Sequence, residues 1–73
     1  MAIDEMRWEV VRGDGPDGGF VELWDRSLAP AGLALEVTQT PEGATAVAGH
    51  GVMAPLDVAQ EFLVQASAYL SSR

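Results

Sequence analysis

His50 is the one side chain in this sequence that titrates near neutral pH without help from its surroundings, and eleven carboxylates are the other abundant acid–base groups. Two kinds of chemistry are open to such a set: proton transfer by His50 with a carboxylate, and ligation of a hard cation by oxygens alone. Cysteine and lysine are absent. Their absence removes thiolate nucleophiles, disulfides, thiolate zinc sites, Schiff-base amines and the lysine of phosphate-binding loops. A single histidine also leaves no histidine pair for a transition metal.

The spacings that remain are poor. Gly13-Asp14-Gly15-Pro16-Asp17-Gly18-Gly19 offers Asp14 and Asp17 to calcium. An EF-hand loop, however, needs alternating oxygen ligands and a bidentate Glu at its twelfth position, and counting from Asp14 that position is Asp25, in a strand-like segment. The same glycines lack the Gly-Lys-Ser/Thr ending and the following helix that cradle a phosphate. Arg12-Gly13-Asp14 spells the integrin-binding tripeptide, but three residues recur by chance and a strongly acidic chain is the wrong setting. His50 could meet Glu36 across a hairpin, yet no Ser or Asp completes a triad, and a surface histidine at a strand end is the expected role. No catalytic residue, metal ligand or cofactor-binding residue is therefore assigned.

The elements that position these residues follow from periodicity. Residues 6–12 alternate, with Met6, Trp8 and Val10 on one side, and read as a first strand. The glycine-rich residues 13–19 read as a loop. In a second strand, 20–26, Val21 and Leu23 share one face while Phe20, Glu22, Trp24 and Arg26 share the other. A third strand, 33–39, places Leu33, Leu35 and Val37 together and Ala34, Glu36 and Thr38 opposite. Thr40-Pro41-Glu42-Gly43 then predicts a three-residue hairpin loop, since Pro presets the first turn position and Gly supplies the left-handed one. That loop sets Val47 against Val37, Gly49 against Leu35 and His50 against Ala34.

A helix is predicted over 55–71. Pro55 suits the first helical position, Ala54 the cap, and Asp57 the first turn. Met53 and Val58 have the spacing of a hydrophobic staple. Leu56, Ala59, Phe62, Leu63, Ala66, Tyr69 and Leu70 form the apolar stripe, with Val64 and Ala68 as a lesser patch on the exposed side. The expected architecture is α+β: a four-stranded antiparallel β-meander with one C-terminal amphipathic helix packed on one face. All 73 residues form one small domain, made of a flexible lead (1–5), the meander (6–50) and the helix (55–71).

Eleven acids stand against Arg7, Arg12, Arg26 and Arg73, giving a net charge of −7. Such a surface repels nucleic acid and anionic lipid headgroups and favours a basic protein partner. No apolar run approaches a membrane span, and the acidic start lacks a signal-peptide pattern, so a cytoplasmic location is expected. The Ala-, Gly-, Val-, Asp- and Arg-rich composition is of the kind a high-GC bacterial genome encodes. A helix on one sheet face leaves the other open, and there Phe20 and Trp24 sit among Glu22, Arg26 and Glu36, the expected partner-binding residues. The sequence thus points to a small, acidic, non-catalytic binding protein, inhibitor-, immunity- or antagonist-like, docking on a basic surface. The competing reading is a homo-oligomeric structural or regulatory subunit, such as a homodimer, joined through that open face. Third comes an enzyme, or an enzyme's accessory subunit, using carboxylates and His50.

Overall fold

A computed structural model describes residues 3–16 and 18–72. Four antiparallel strands, β1 (Trp8–Gly15), β2 (Gly18–Asp25), β3 (Leu33–Gln39) and β4 (Thr45–Gly49), form one sheet in the order β1-β2-β3-β4. A helix, α1 (Leu56–Ser71), follows them, so the fold is the α+β meander with a C-terminal helix that the periodicity predicts.

The first hairpin is longer than expected. Its strands run through the glycines until Gly15 faces Gly18, with Pro16 in a turn between them. At the other end, β1 starts only at Trp8 because the chain turns before it. The Asp4 carbonyl accepts the N–H groups of Arg7 and Trp8 at 3.0 and 2.7 Å, and its Oδ1 accepts that of Met6 at 3.0 Å. Met6 is consequently 89% exposed and not in phase with buried Trp8, whereas Ile3, in the expected lead, is buried in the core.

β2 alternates cleanly, with Gly19, Val21, Leu23 and Asp25 buried. It ends where Asp25 caps a single 3-10 turn, Arg26–Leu28, and this takes Arg26 out of the strand. Asp25 is the one buried charged side chain among the described residues. Its Oδ1 accepts the Ser27 hydroxyl at 2.6 Å and the Ser27 N–H at 3.0 Å, while Oδ2 accepts Arg7 Nη2 at 3.2 Å. The Ser27 hydroxyl bond, aided by Arg7, holds this carboxyl below the usual carboxylate range against the opposing effect of burial.

β3 departs from simple alternation. Leu35 faces Leu23 but Leu33 faces Trp24, so Ala34 is an extra residue, a β-bulge. Leu33 thereby joins Trp24's face instead of sharing one with Leu35 and Val37, and Ala34, expected on the outer face, is buried in the core. The cause lies beside it: the Gly32 carbonyl accepts the Asp25 N–H at 2.7 Å, and a Cβ on Gly32 would overlap the Asp25 carbonyl oxygen. Only glycine fits that approach. The second hairpin has the predicted register, with Val47 opposite Val37 and Gly49 opposite Leu35, and Gly43 at φ +93° closes its loop.

α1 begins one residue later than expected, with Pro55 as its cap. Met53 is 89% exposed and makes no staple. The buried ridge is Val58, Phe62, Ala66 and Leu70, at four-residue spacing. Compared with the expected stripe it is rotated away from Leu56 and Leu63, which are 73% and 38% exposed. On the β1 side the helix is closed off by Arg12, whose guanidinium stands 5.7 Å from the Tyr69 ring centre. On the other side all five residues of β4 are exposed. The helix packs on β2 and β3 and leaves β4 uncovered.

Two substitutions test this account. Phe62 is fully buried, and Phe62→Ala should cost about 3–5 kcal/mol. That is comparable to the roughly 3–5 kcal/mol a core of this size supplies, so the variant should lose most of its helical circular dichroism at 25 °C. Asp25 has a depressed pKa when folded, so its contribution is present above the unfolded value of about 4 and lost as pH falls through the folded one. Asp25→Asn should lower the urea midpoint at pH 7 and flatten the loss of stability below about pH 4.

Candidate functional site

The register assembles the uncovered sheet face from rows of opposing residues. Val11, Glu22, Glu36 and Ala48 form one row; Gly13, Phe20, Thr38 and Ala46 form the next; Glu9, Trp24 and Leu33 form a third. Phe20, Glu22, Trp24 and Glu36, four of the five expected partner-binding residues, therefore meet on one surface. Arg26 does not. It is exposed on the 3-10 turn and lines a separate cavity with Ile3, Trp8, Arg12 and Gln65.

Glycine lets an aromatic ring lie flat here. A Cβ on Gly13 would stand 3.1 Å from Phe20 Cζ, so the Phe20 ring covers the strand where its neighbour has no side chain. Phe20 is half-buried as a result, although no other element among the described residues covers this face.

The centre of the surface is a pair of like charges. Glu22 and Glu36 face each other directly, a placement that puts their Cβ atoms about 4.5–5.5 Å apart and is unfavourable in isolation. Each carboxylate takes a donor of its own. Trp24 Nε1–H donates to Glu22 Oε1 at 3.0 Å, and His50 Nε2 lies 3.1 Å from Glu36 Oε1, the pair anticipated from the hairpin register. Both side chains of that second pair are reached by water, His50 at 35% and Glu36 at 28% exposure. Beside the carboxylates runs an open groove of about 230 Å³, floored by Phe20 and walled by Glu22, Glu36, Thr38 and Pro16. Small-molecule sites usually offer 300–1,000 Å³, so this groove suits a single side chain.

Other sequence features fall elsewhere. Arg12-Gly13-Asp14 is built into β1, each residue paired with β2, and does not form a loop tip. Asp17 lies outside the described residues. Among the described residues no three His, Asp, Glu or Cys side chains come together in a metal-holding group, and no helix is long and apolar enough to cross a membrane. Periodicity overlooked Asp25 and Ser27. The signal was present as an Asp followed two residues later by Ser, the pattern of a side-chain cap.

Comparison with protein families, curated proteins and solved structures finds no match.

The two tryptophans give a direct check on the open face, because Trp8 is 3% exposed and Trp24 only half-buried. Acrylamide should quench the fluorescence of a Trp8→Phe variant, which keeps Trp24, several-fold more strongly than that of Trp24→Phe.

Proposed function

We propose that this protein is a small acidic binding protein, of the inhibitor, immunity or antagonist kind, whose outer sheet face receives a basic side chain of a partner protein. The observation that carries this reading is the direct opposition of Glu22 and Glu36 at the edge of an aromatic-floored groove. Two carboxylates side by side repel each other until a cation sits between them. A guanidinium can accept that role bidentately, and the Phe20 face adds a cation–π contact. Trp24, alongside, supplies the rigid aromatic area typical of binding hot spots. The net charge of −7 raises the encounter rate with a basic surface and lowers it with nucleic acid. In this reading the protein works in the cytoplasm and His50 orients Glu36; no catalytic role is assigned to either.

Joining two copies through these faces is the weaker alternative, because it would bring Glu22 and Glu36 against their own copies and strip water from like charges.

An arginine-rich peptide serves as the probe. Binding measured by calorimetry should be clear at low ionic strength and vanish near 0.5 M salt, where the Debye length is only about 4 Å. The double variant Glu22→Gln/Glu36→Gln should lose at least about tenfold in affinity, and Trp24→Ala a similar factor. Asp57→Asn/Glu61→Gln, with the same charge change on α1, should bind nearly as the parent does. Equal losses in both double variants would mean diffuse attraction without a site.

A further inference from the structure

The two edges of the sheet are built differently. β1 carries Glu9, Arg12 and Asp14, charges that discourage strand addition. β4, Thr45-Ala46-Val47-Ala48-Gly49, has no charge, no proline and no bulge, and every residue is exposed. Apart from its shortness, five residues, it has none of the devices that ordinarily blunt an edge.

Its backbone pattern is also fixed. His50 N–H bonds the Ala34 carbonyl at 3.1 Å and Thr40 N–H bonds the Ala44 carbonyl at 2.8 Å, so the even-numbered residues of this hairpin exchange hydrogen bonds with each other. By the alternation of an antiparallel ladder, Thr45, Val47 and Gly49 point their N–H and C=O groups away from β3, to the free edge. An antiparallel copy centred on Val47 would set Val47 against Val47 and Thr45 against Gly49, matching each outward donor to an outward acceptor.

Side chains above this edge agree with the backbone. Val47 is 57% exposed, and between β4 and α1 runs a groove of about 360 Å³ lined by Val37, Val47, Leu63, Ser67 and Leu70. Leu56, Gln60, Leu63 and Ser67 form the helix flank on this side, again without a charge. In a chain of net charge −7, a patch free of carboxylates is where a second copy can approach without local repulsion.

We propose that β4 is a self-association edge: a second copy of this chain pairs with it antiparallel about a two-fold axis through Val47. The sheets join into one continuous sheet, both helices lie on the same side, and the groove is closed by Val47 and Leu63 of the second copy. Both acidic faces then point the same way. Five residues span only about 17 Å of strand, a small contact beside the roughly 800 Å² per partner of a standard interface, so the pair is a weak dimer of micromolar affinity.

The test is sedimentation of the full chain from about 1 µM to about 1 mM, paired with residue-resolved amide exchange. A monomer–dimer equilibrium is expected, in which the amides of Thr45, Val47 and Gly49 slow at least tenfold at high concentration and those of Ala46 and Ala48 do not change. Val47→Lys, at a position the monomer leaves exposed, should stay monomeric; Trp24→Glu should dimerise as the parent does. If Val47→Lys does not fold, the alternating exchange pattern of the parent decides. A parent that stays monomeric throughout, a Val47→Lys dimer, or dissociation by Trp24→Glu would each overturn the proposal. Salt separates it from the binding function, since screening strengthens contact between two acidic copies and weakens contact with a basic partner. Either can therefore fail alone.

Discussion

A helix about 10 Å across cannot cover a four-stranded sheet whose outer strand axes lie roughly 14 Å apart. The rest of the molecule follows from how that shortfall is distributed. One whole face of the sheet is left to water, and on the other face the helix must choose a side. Here it settles over β2 and β3 and is drawn toward β1, where Tyr69 and Gln65 are half-buried and Arg12 stacks over the ring. The core is accordingly narrow, a ridge of Val58, Phe62, Ala66 and Leu70 on Val21, Leu23, Ala34 and Val37, with Trp8 and Ile3 closing the β1 side. β4 receives what is left, a place in the ladder but no lid.

The buried carboxylate of Asp25 belongs to the same economy of space. It sits opposite Trp8 at the end of β2, and in one short stretch it stops the strand, caps the 3-10 turn and ties down Arg7. The Arg7 guanidinium, 4.9 Å from the Trp8 ring centre, stands over the indole. An ion pair in this position joins the start of β1 to the end of β2 where apolar area is scarce. All the polar atoms involved find partners: among the described residues no buried side-chain nitrogen or oxygen lacks one.

What the sequence made legible was local. Pro41 and Gly43 specify a hairpin through their own backbone preferences, and that hairpin fixed the register bringing His50 to Glu36. Phe20 and Trp24 could be placed on the open face because β2 alternates without interruption. The failures were of another kind. Nothing within Leu33-Ala34-Leu35 announces a bulge; it arises because Gly32 is held against the Asp25 backbone, a contact between segments. Arg26 left the open face because Asp25 and Ser27 capped a turn across it. Leu56 and Leu63 look like core on a helical wheel, which gives the width of an apolar stripe but not the lateral seat of the helix, where its own Tyr69 meets Arg12 of β1. The placing of Phe20, Glu22, Trp24 and Glu36 on one face and the His50–Glu36 pair were thus readable, but not the departure of Arg26, the groove or the Trp24 donor that holds Glu22.

The asymmetry between the two edges gives the sheet a direction of growth. A molecule with two bare edges can add copies without end and becomes a fibre; with none, it stays alone. With a single bare edge, any strand that pairs with β4 uses up the template it joined, and what remains outermost is β1 with Glu9, Arg12 and Asp14. In the proposed pairing the charges along β1 therefore act at a distance from the contact: they make addition at β4 self-terminating, so that a chain this apolar can keep one unprotected strand.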